Sequence, residues 1–155
     1  MASLRRSGEP VADFADLDGW LQGLITQLSP QARRTLSRAI AARVRKNNQQ
    51  RIAAQIAPDG SPFAPRLRRN QGRIRRKMFA KLRTSRWMKA NGTADEAVIE
   101  FIGQAGRIAR THHEGLRDRV RPGGPEHQYA KRELLGLSDA DLSLIESLVI
   151  EHIAR

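Results

Sequence analysis

His112, His113 and Glu114 stand side by side, and two histidines with a carboxylate are the residue types of a metal hydrolase. Zinc proteases need the histidines at i and i+4 with the glutamate between them, so that both rings leave one helix face. Adjacent helical residues diverge by about 100°. This pair therefore does not converge on one ion, and a hydrogen bond within the scaffold is its expected role. His127 and His152 lie far away without ligand spacing. No G-x-S-x-G elbow is present for nucleophilic chemistry, and Gly103-Gln104-Ala105-Gly106 is too short for a phosphate loop and lacks its lysine. Asp139 and Asp141 stand where a helix N-terminus favours negative charge, so capping explains them. The expectation is no catalytic residue, no metal and no cofactor: the chain reads as a non-enzyme.

The remaining chemistry is cationic. Between Gln31 and Lys89 there are 18 Lys/Arg and one acid, Asp59, a balance of +17; the rest of the chain holds 10 basic and 15 acidic residues, a balance of −5, which together make the net +12. The densest part is Arg66, Arg68, Arg69, Arg73, Arg75, Arg76, Lys77 and Lys81, the expected contacts to a polyanionic partner. Arginine suits bidentate pairing with phosphate and carboxylate alike. Phe79 and Trp87 fall inside this stretch and could stack bases. Phe79 lies at helical spacing from Leu82 and Trp87 lies in an expected strand, so core packing is the stronger reading for both. No zinc finger, RNA-recognition signature or leucine-zipper heptad accompanies the charge, and charge alone gives salt-sensitive, sequence-blind binding.

Several elements must position these residues. Leu17, Trp20, Leu21, Leu24, Ile25 and Leu28 follow a helical period, and Ser29-Pro30 caps and restarts the chain. A long helix is predicted from Pro30 to about Ile56, with Leu36, Ile40, Val44, Ile52 and Ile56 on a drifting stripe and a polar interruption at Asn47-Asn48-Gln49-Gln50 where it would weaken or cross a subunit boundary. A short helix is predicted over Ile74–Leu82. Trp87–Ala90 and Ala97–Ile102 read as a hairpin turning at Asn91-Gly92. A short helix over Gly103–His113, an extended stretch at Arg117–Val120 and a loop at Pro122–Pro125 follow. Ser138 and Asp141 form a capping box for a last helix whose apolar face is Leu142, Ile145, Leu148, Val149 and Ile153. The class is α+β: a small antiparallel β-sheet with flanking helices, a long one N-terminal and a short one C-terminal.

With 155 residues, 39% of them hydrophobic and 5% aromatic, the core must be modest and aliphatic. Residues 1–12 show no periodicity and are expected to be a flexible arm, with 13–155 a single domain. The absence of cysteine excludes disulfides and thiolate sites and fits a reducing compartment. No apolar run approaches the roughly 20 residues that span a bilayer, and Met1–Pro10 lacks the apolar core of a secretory signal. A soluble intracellular protein without membrane contact is expected.

Three stretches together resemble the phage virion morphogenesis family of contractile-tailed temperate phages. They are Arg51–Arg66 with its Pro58-Asp59-Gly60-Ser61-Pro62-Phe63-Ala64-Pro65 turn, Arg107–Leu116 with His112, His113 and Gly115, and Ala130–Leu137 with Arg132, Leu134, Leu135 and Gly136, followed by a short acidic helix. The resemblance covers about residues 17–153; Glu114 stands where members tend to carry an aromatic. It implies a structural tail-completion protein acting at the head-proximal end of the tail. It further implies a homo-oligomeric ring, of six or twelve copies, meeting the tail terminator, tail tube or neck and connector proteins, with DNA in the channel a further neighbour. Location in the virion follows, with the host cytoplasm during assembly. The residues themselves support the turn as scaffolding: Gly60 can take positive φ, while Pro62 and Pro65 stiffen the exit and seat Phe63. A basic nucleic-acid-binding protein of a phage or mobile element is the alternative reading.

Overall fold

The computed structural model describes residues 14–67, 76–119 and 121–154. The expected arm over residues 1–12, the cations Arg68, Arg69, Arg73 and Arg75, and Ile74 at the start of a predicted helix lie outside the described residues. The elements are α1 (Phe14–Gln27), α2 (Pro30–Ala54), β1 (Met88–Gly92), β2 (Ala97–Phe101), α3 (Gly103–Glu114), β3 (Arg117–Arg119), β4 (Glu126–Gln128) and α4 (Asp139–Ile153). The class is α+β, with the strands in two separate antiparallel ribbons, β1–β2 and β3–β4, instead of one sheet.

Helix α2 starts as its sequence dictates: the Ser29 hydroxyl accepts from the Ala32 N–H at 3.1 Å and Pro30 occupies the first turn. It buries Leu36, Ala41, Val44, Asn48 and Ile52, while Ile40 is half-buried. The expected weak point at Asn47–Gln50 is unbroken helix. Its polar side chains are spent on neighbours: Asn47 on Asp141, Asn48 on Gly136, and Gln49 on the Arg83 carbonyl.

The predicted helix over Ile74–Leu82 is not formed in its described part, where residues 78–87 run mainly as consecutive turns. Phe79 sits at φ 61°, outside the helical region, and α2 with its C-cap residue Gln55 takes up polar groups that a helix would pair internally. Gln55 clamps Met78 on both sides, accepting from its N–H at 3.1 Å and donating to its carbonyl at 3.0 Å. Trp87 precedes β1 and packs half-buried against the core.

The hairpin forms with a shifted turn. Asn91 and Gly92 remain paired in β1, opposite Val98 and Ala97, and the chain reverses over residues 93–96. There the Thr93 N–H donates to the Glu96 carbonyl at 2.8 Å, and the Thr93 hydroxyl accepts from Asp95 and Glu96. Gly92 serves close packing: a Cβ there would lie 2.4 Å from the Arg38 backbone nitrogen. The glycine lets β1 lie directly on α2.

The capping box at α4 is formed, with Ser138 and Asp141 bonding each other's backbone N–H. Val149 is buried and Ile145, Leu148 and Ile153 half-buried, but Leu142, expected on the apolar face, is 47% exposed. The core gathers Ile52, Ala57, Phe63, Leu82, Met88, Ala105, Ala109 and Leu134. Among the described residues no helix is long and apolar enough to cross a membrane.

Candidate functional site

The turn after α2 is built from short-range polar bonds. Asp59 accepts from the Ser61 N–H at 2.9 Å and from its hydroxyl, which holds the Asp59 carboxyl below its usual range. Gly60 takes φ 84°, Ile56 bridges to Pro62, and the Phe63 N–H returns to the Gln55 carbonyl at 2.8 Å. Phe63 is thereby buried at 7% exposure. Pro58 packs close to Gly136 and Pro65 is exposed.

The carbonyls at the exit of this turn hold Arg132. Its Nε donates to the Ala64 carbonyl at 2.8 Å and its Nη2 to the Pro65 carbonyl at 2.9 Å. Nη1 reaches the Ala130 carbonyl and His112 Nδ1, both at 3.4 Å, and the Arg132 N–H donates to the His112 carbonyl at 2.7 Å. At 6% exposure this guanidinium is buried, and its recorded partners are main-chain carbonyls and an imidazole, with no carboxylate among them. Burial and then the neighbouring Arg66 push it down from its ordinary value.

His112 and His113 separate, as their adjacency requires. His113 Nδ1 accepts from the Leu134 N–H at 3.1 Å. The His112 ring meets Phe79 edge-on at 4.9 Å and Tyr129 at 4.7 Å, and Tyr129 continues to His127 at 5.0 Å. Burial first, and Arg132 second, push the His112 imidazolium down. Glu114 instead pairs with Arg110 at 3.3 Å. Among the described residues no group of three or more His, Asp or Glu comes together in a way that could hold a metal ion. Gly115 ends α3, Leu134 is 1% exposed, and Leu135 and Gly136 are half-buried.

Above Arg132 lies a groove of about 730 Å3. It is lined by Pro65, Arg66, Leu67, Met78 and Phe79 from one stretch of the chain and by His127, Gln128, Tyr129 and Ala130 from another, together with His112 and Arg132. A smaller cavity of about 420 Å3 lies between β2, α3 and Leu135. Arg66, Arg76, Lys77 and Lys81 are exposed, as are Arg34, Arg38, Arg43 and Lys46 on α2. Lys77 Nζ donates to the Ala53 carbonyl at 3.0 Å. Ion pairs join Arg51 to Asp141, Arg107 to Asp118, Arg110 to Glu114 and Lys131 to Glu133; among these, Arg51 alone belongs to the basic segment.

Sequence reading missed a second polar site. Asp141 is fully buried and accepts from Asn47 at 2.6 Å and from the Ser138 N–H and hydroxyl, both at 2.8 Å; Arg51 Nη2 lies 3.8 Å away. Burial raises its carboxyl, but the Ser138 backbone, Asn47, the Ser138 side chain and Arg51 outweigh it, so the net direction is downward. Arg51 also donates to the Gly136 carbonyl at 2.7 Å and to Asn48, which accepts from the Gly136 N–H at 3.1 Å. The available signal was the asparagine pair itself, poor helix formers in the middle of a long helix.

The model of the phage virion morphogenesis family matches residues 12–154. The chain is 41% identical over 148 residues to tail completion protein S of Escherichia phage P2, an alignment covering 92% of this chain and 99% of that protein. No solved structure matches.

Proposed function

The chain belongs to the phage virion morphogenesis family, and we propose that it is a structural tail-completion protein that finishes the head-proximal end of the tail and makes it competent to join a filled head. The observation that carries this reading is the correspondence with a tail completion protein over 92% of this chain and 99% of that protein. The geometry agrees in kind. The motif residues of the turn, of His112–Gly115 and of Arg132–Gly136 are absorbed in holding loops together, a scaffold's use of them. No catalytic role is assigned to any residue.

The protein acts as a ring of six or twelve copies at the tail end, in contact with the tail terminator, tail tube or neck and connector proteins. It is part of the virion and is recruited from the host cytoplasm during assembly. Residues 13–155 act as one domain, with 1–12 as its arm. The basic segment would repel its own copies unless acidic groups of neighbouring proteins, or DNA in the channel, offset it. Arg66, Arg76, Lys77 and Lys81 supply this contact within the described residues, and Arg68, Arg69, Arg73 and Arg75 extend it.

Charge reversal tests it. Arg76→Glu with Lys81→Glu should leave the fold within about 0.5 kcal/mol of wild type, since exposed charges contribute little to monomer stability. Cells carrying that variant should accumulate filled heads and separate tails. Normal release of infectious particles would show the segment to be a solvated face.

A further inference from the structure

Helix α4 carries an exposed strip that the fold leaves unused. Asp139, Leu142, Glu146 and Ile150 fall within about 80° of arc at 100° per residue. All four are exposed, with Leu142 at 47% and Ile150 at 59%. The strip alternates acid and apolar side chains. The groove over Arg132 has the opposite character: cationic groups from Arg66 and Arg132 set between apolar walls from Leu67, Met78 and Phe79. Leu67, on its lip, is 68% exposed.

Among the described residues the groove lacks an anion of its own. Its lining contains no Asp or Glu, and the chain has no acid between Asp59 and Asp95 to reach into it. A buried guanidinium answered only by carbonyl dipoles and an imidazole keeps an uncompensated charge. Burial first, and then neighbouring positive charge, Arg66 on Arg132 and Arg132 on His112, holds both groups below their ordinary values. An apolar-walled concavity suits a protein side-chain strip better than a phosphate backbone, which prefers a wet, open basic face.

We propose that the groove over Arg132 in one copy receives the Asp139–Ile150 strip of α4 from the next copy, so that the ring closes head to tail. The two surfaces lie on different elements, and no residue of α4 lines the groove. Such an interface is heterologous, the kind that generates a ring when its rotation closes. Carboxylates from Asp139 and Glu146 supply the charge that Arg132 and Arg66 lack. Leu142 and Ile150 take the apolar walls, as in other helix-in-groove recognition. This interface rests on the ring reading above and adds the surfaces that make it.

The absence of cysteine allows a direct test. Full-length protein carrying Leu67→Cys and Ile150→Cys is expressed during phage assembly, and isolated tails are oxidised. The expected result is a ladder of covalent oligomers of this chain, collapsing to monomer on reduction and absent from either single variant. Arg66→Glu or Glu146→Arg alone should weaken the ladder at least about 10-fold, and the two together should restore it. Several copies per tail by quantitative mass spectrometry without a link between positions 67 and 150 would overturn this interface and leave the ring standing. One copy per tail would overturn the ring reading, and this interface with it. Trapping of position 67 on a different tail protein would give the groove to that protein and also overturn the proposal.

Discussion

Two arginines are withdrawn from solvent, and they are treated in opposite ways. Arg51, with a side chain 11% exposed, faces the fully buried Asp141 and so has its charge answered, yet its Nε and Nη1 lack a partner among the described residues. Arg132 has every guanidinium nitrogen on an acceptor, yet among the described residues no carboxylate answers its charge. The first is neutralised and imperfectly bonded; the second is well bonded and not neutralised. Hydrogen-bond geometry and charge balance are separate requirements, and this fold meets one at each site. The site balanced within the chain lies in a seam between α2 and α4, where stability needs it. The other lies under an open groove.

The comparison is broken most forcefully at the balanced site. Asp141→Ala removes the α4 capping box and the Asn47 bond, and leaves Arg51 as a buried charge without its partner. The expected cost is about 3–5 kcal/mol, the range for removing one member of a buried pair. Chemical denaturation measures it; a loss under about 1 kcal/mol, no more than a surface pair is worth, would mean that the seam is not a stabilising unit.

Arg132→Lys should cost less, about 1.5–3 kcal/mol, because it forfeits charge-assisted bonds without stranding an opposite charge. A lysine retains the charge but cannot span the Ala64 and Pro65 carbonyls as a planar fork. A loss equal to that of Asp141→Ala would erase the distinction between the two sites.

Acid should separate them next. His112 is held below its ordinary 6.5, so below about that pH the unfolded ring takes up a proton that the folded one refuses, and stability falls. Asp141 is held below its ordinary 3.8; its contribution is present above that value and is lost as pH falls through the lower, folded one. Both losses run the same way but in separate windows. His112→Phe should remove the upper step and leave the lower, read as melting temperature against pH. An unchanged upper step would assign it to another group.

How much of this was legible follows from range. Ser29-Pro30 and Ser138–Asp141 are local signals, and both helix starts are where such signals place them. Asn91-Gly92 misled because its usual turn role competes with a long-range demand: Gly92 is small where β1 crosses the α2 backbone, and no hairpin rule contains that contact. Ile74–Leu82 had helical spacing, but Gln55 and Phe79 gave its described residues another set of partners. The turn residues Pro58–Pro65 were recognisable as a group, whereas the link from their carbonyls to Arg132 spans nearly 70 residues and leaves no spacing to read. The Asn47–Asp141 bond, across 94 residues, was hidden in the same way.

The smallest effect tests whether the turn and Arg132 are one unit. Gly60 stands at φ 84° with open space where a Cβ would project, so Gly60→Ala adds backbone strain and no clash. An L-residue in that region costs about 1–2 kcal/mol, and the alanine should sit near the lower end. A strained turn would relax by shifting its exit, and the exit carries the Ala64 and Pro65 carbonyls that hold Arg132. Combined with Arg132→Lys the losses should therefore fall short of their sum by at least about 0.5 kcal/mol, since a fork already broken no longer resists the shift. Combined with Asp141→Ala, with which Gly60 shares no hydrogen-bond partner, the losses should add within about 0.3–0.5 kcal/mol. Additivity in both pairs would mean that the turn positions Phe63 alone, and that Arg132 is held without it.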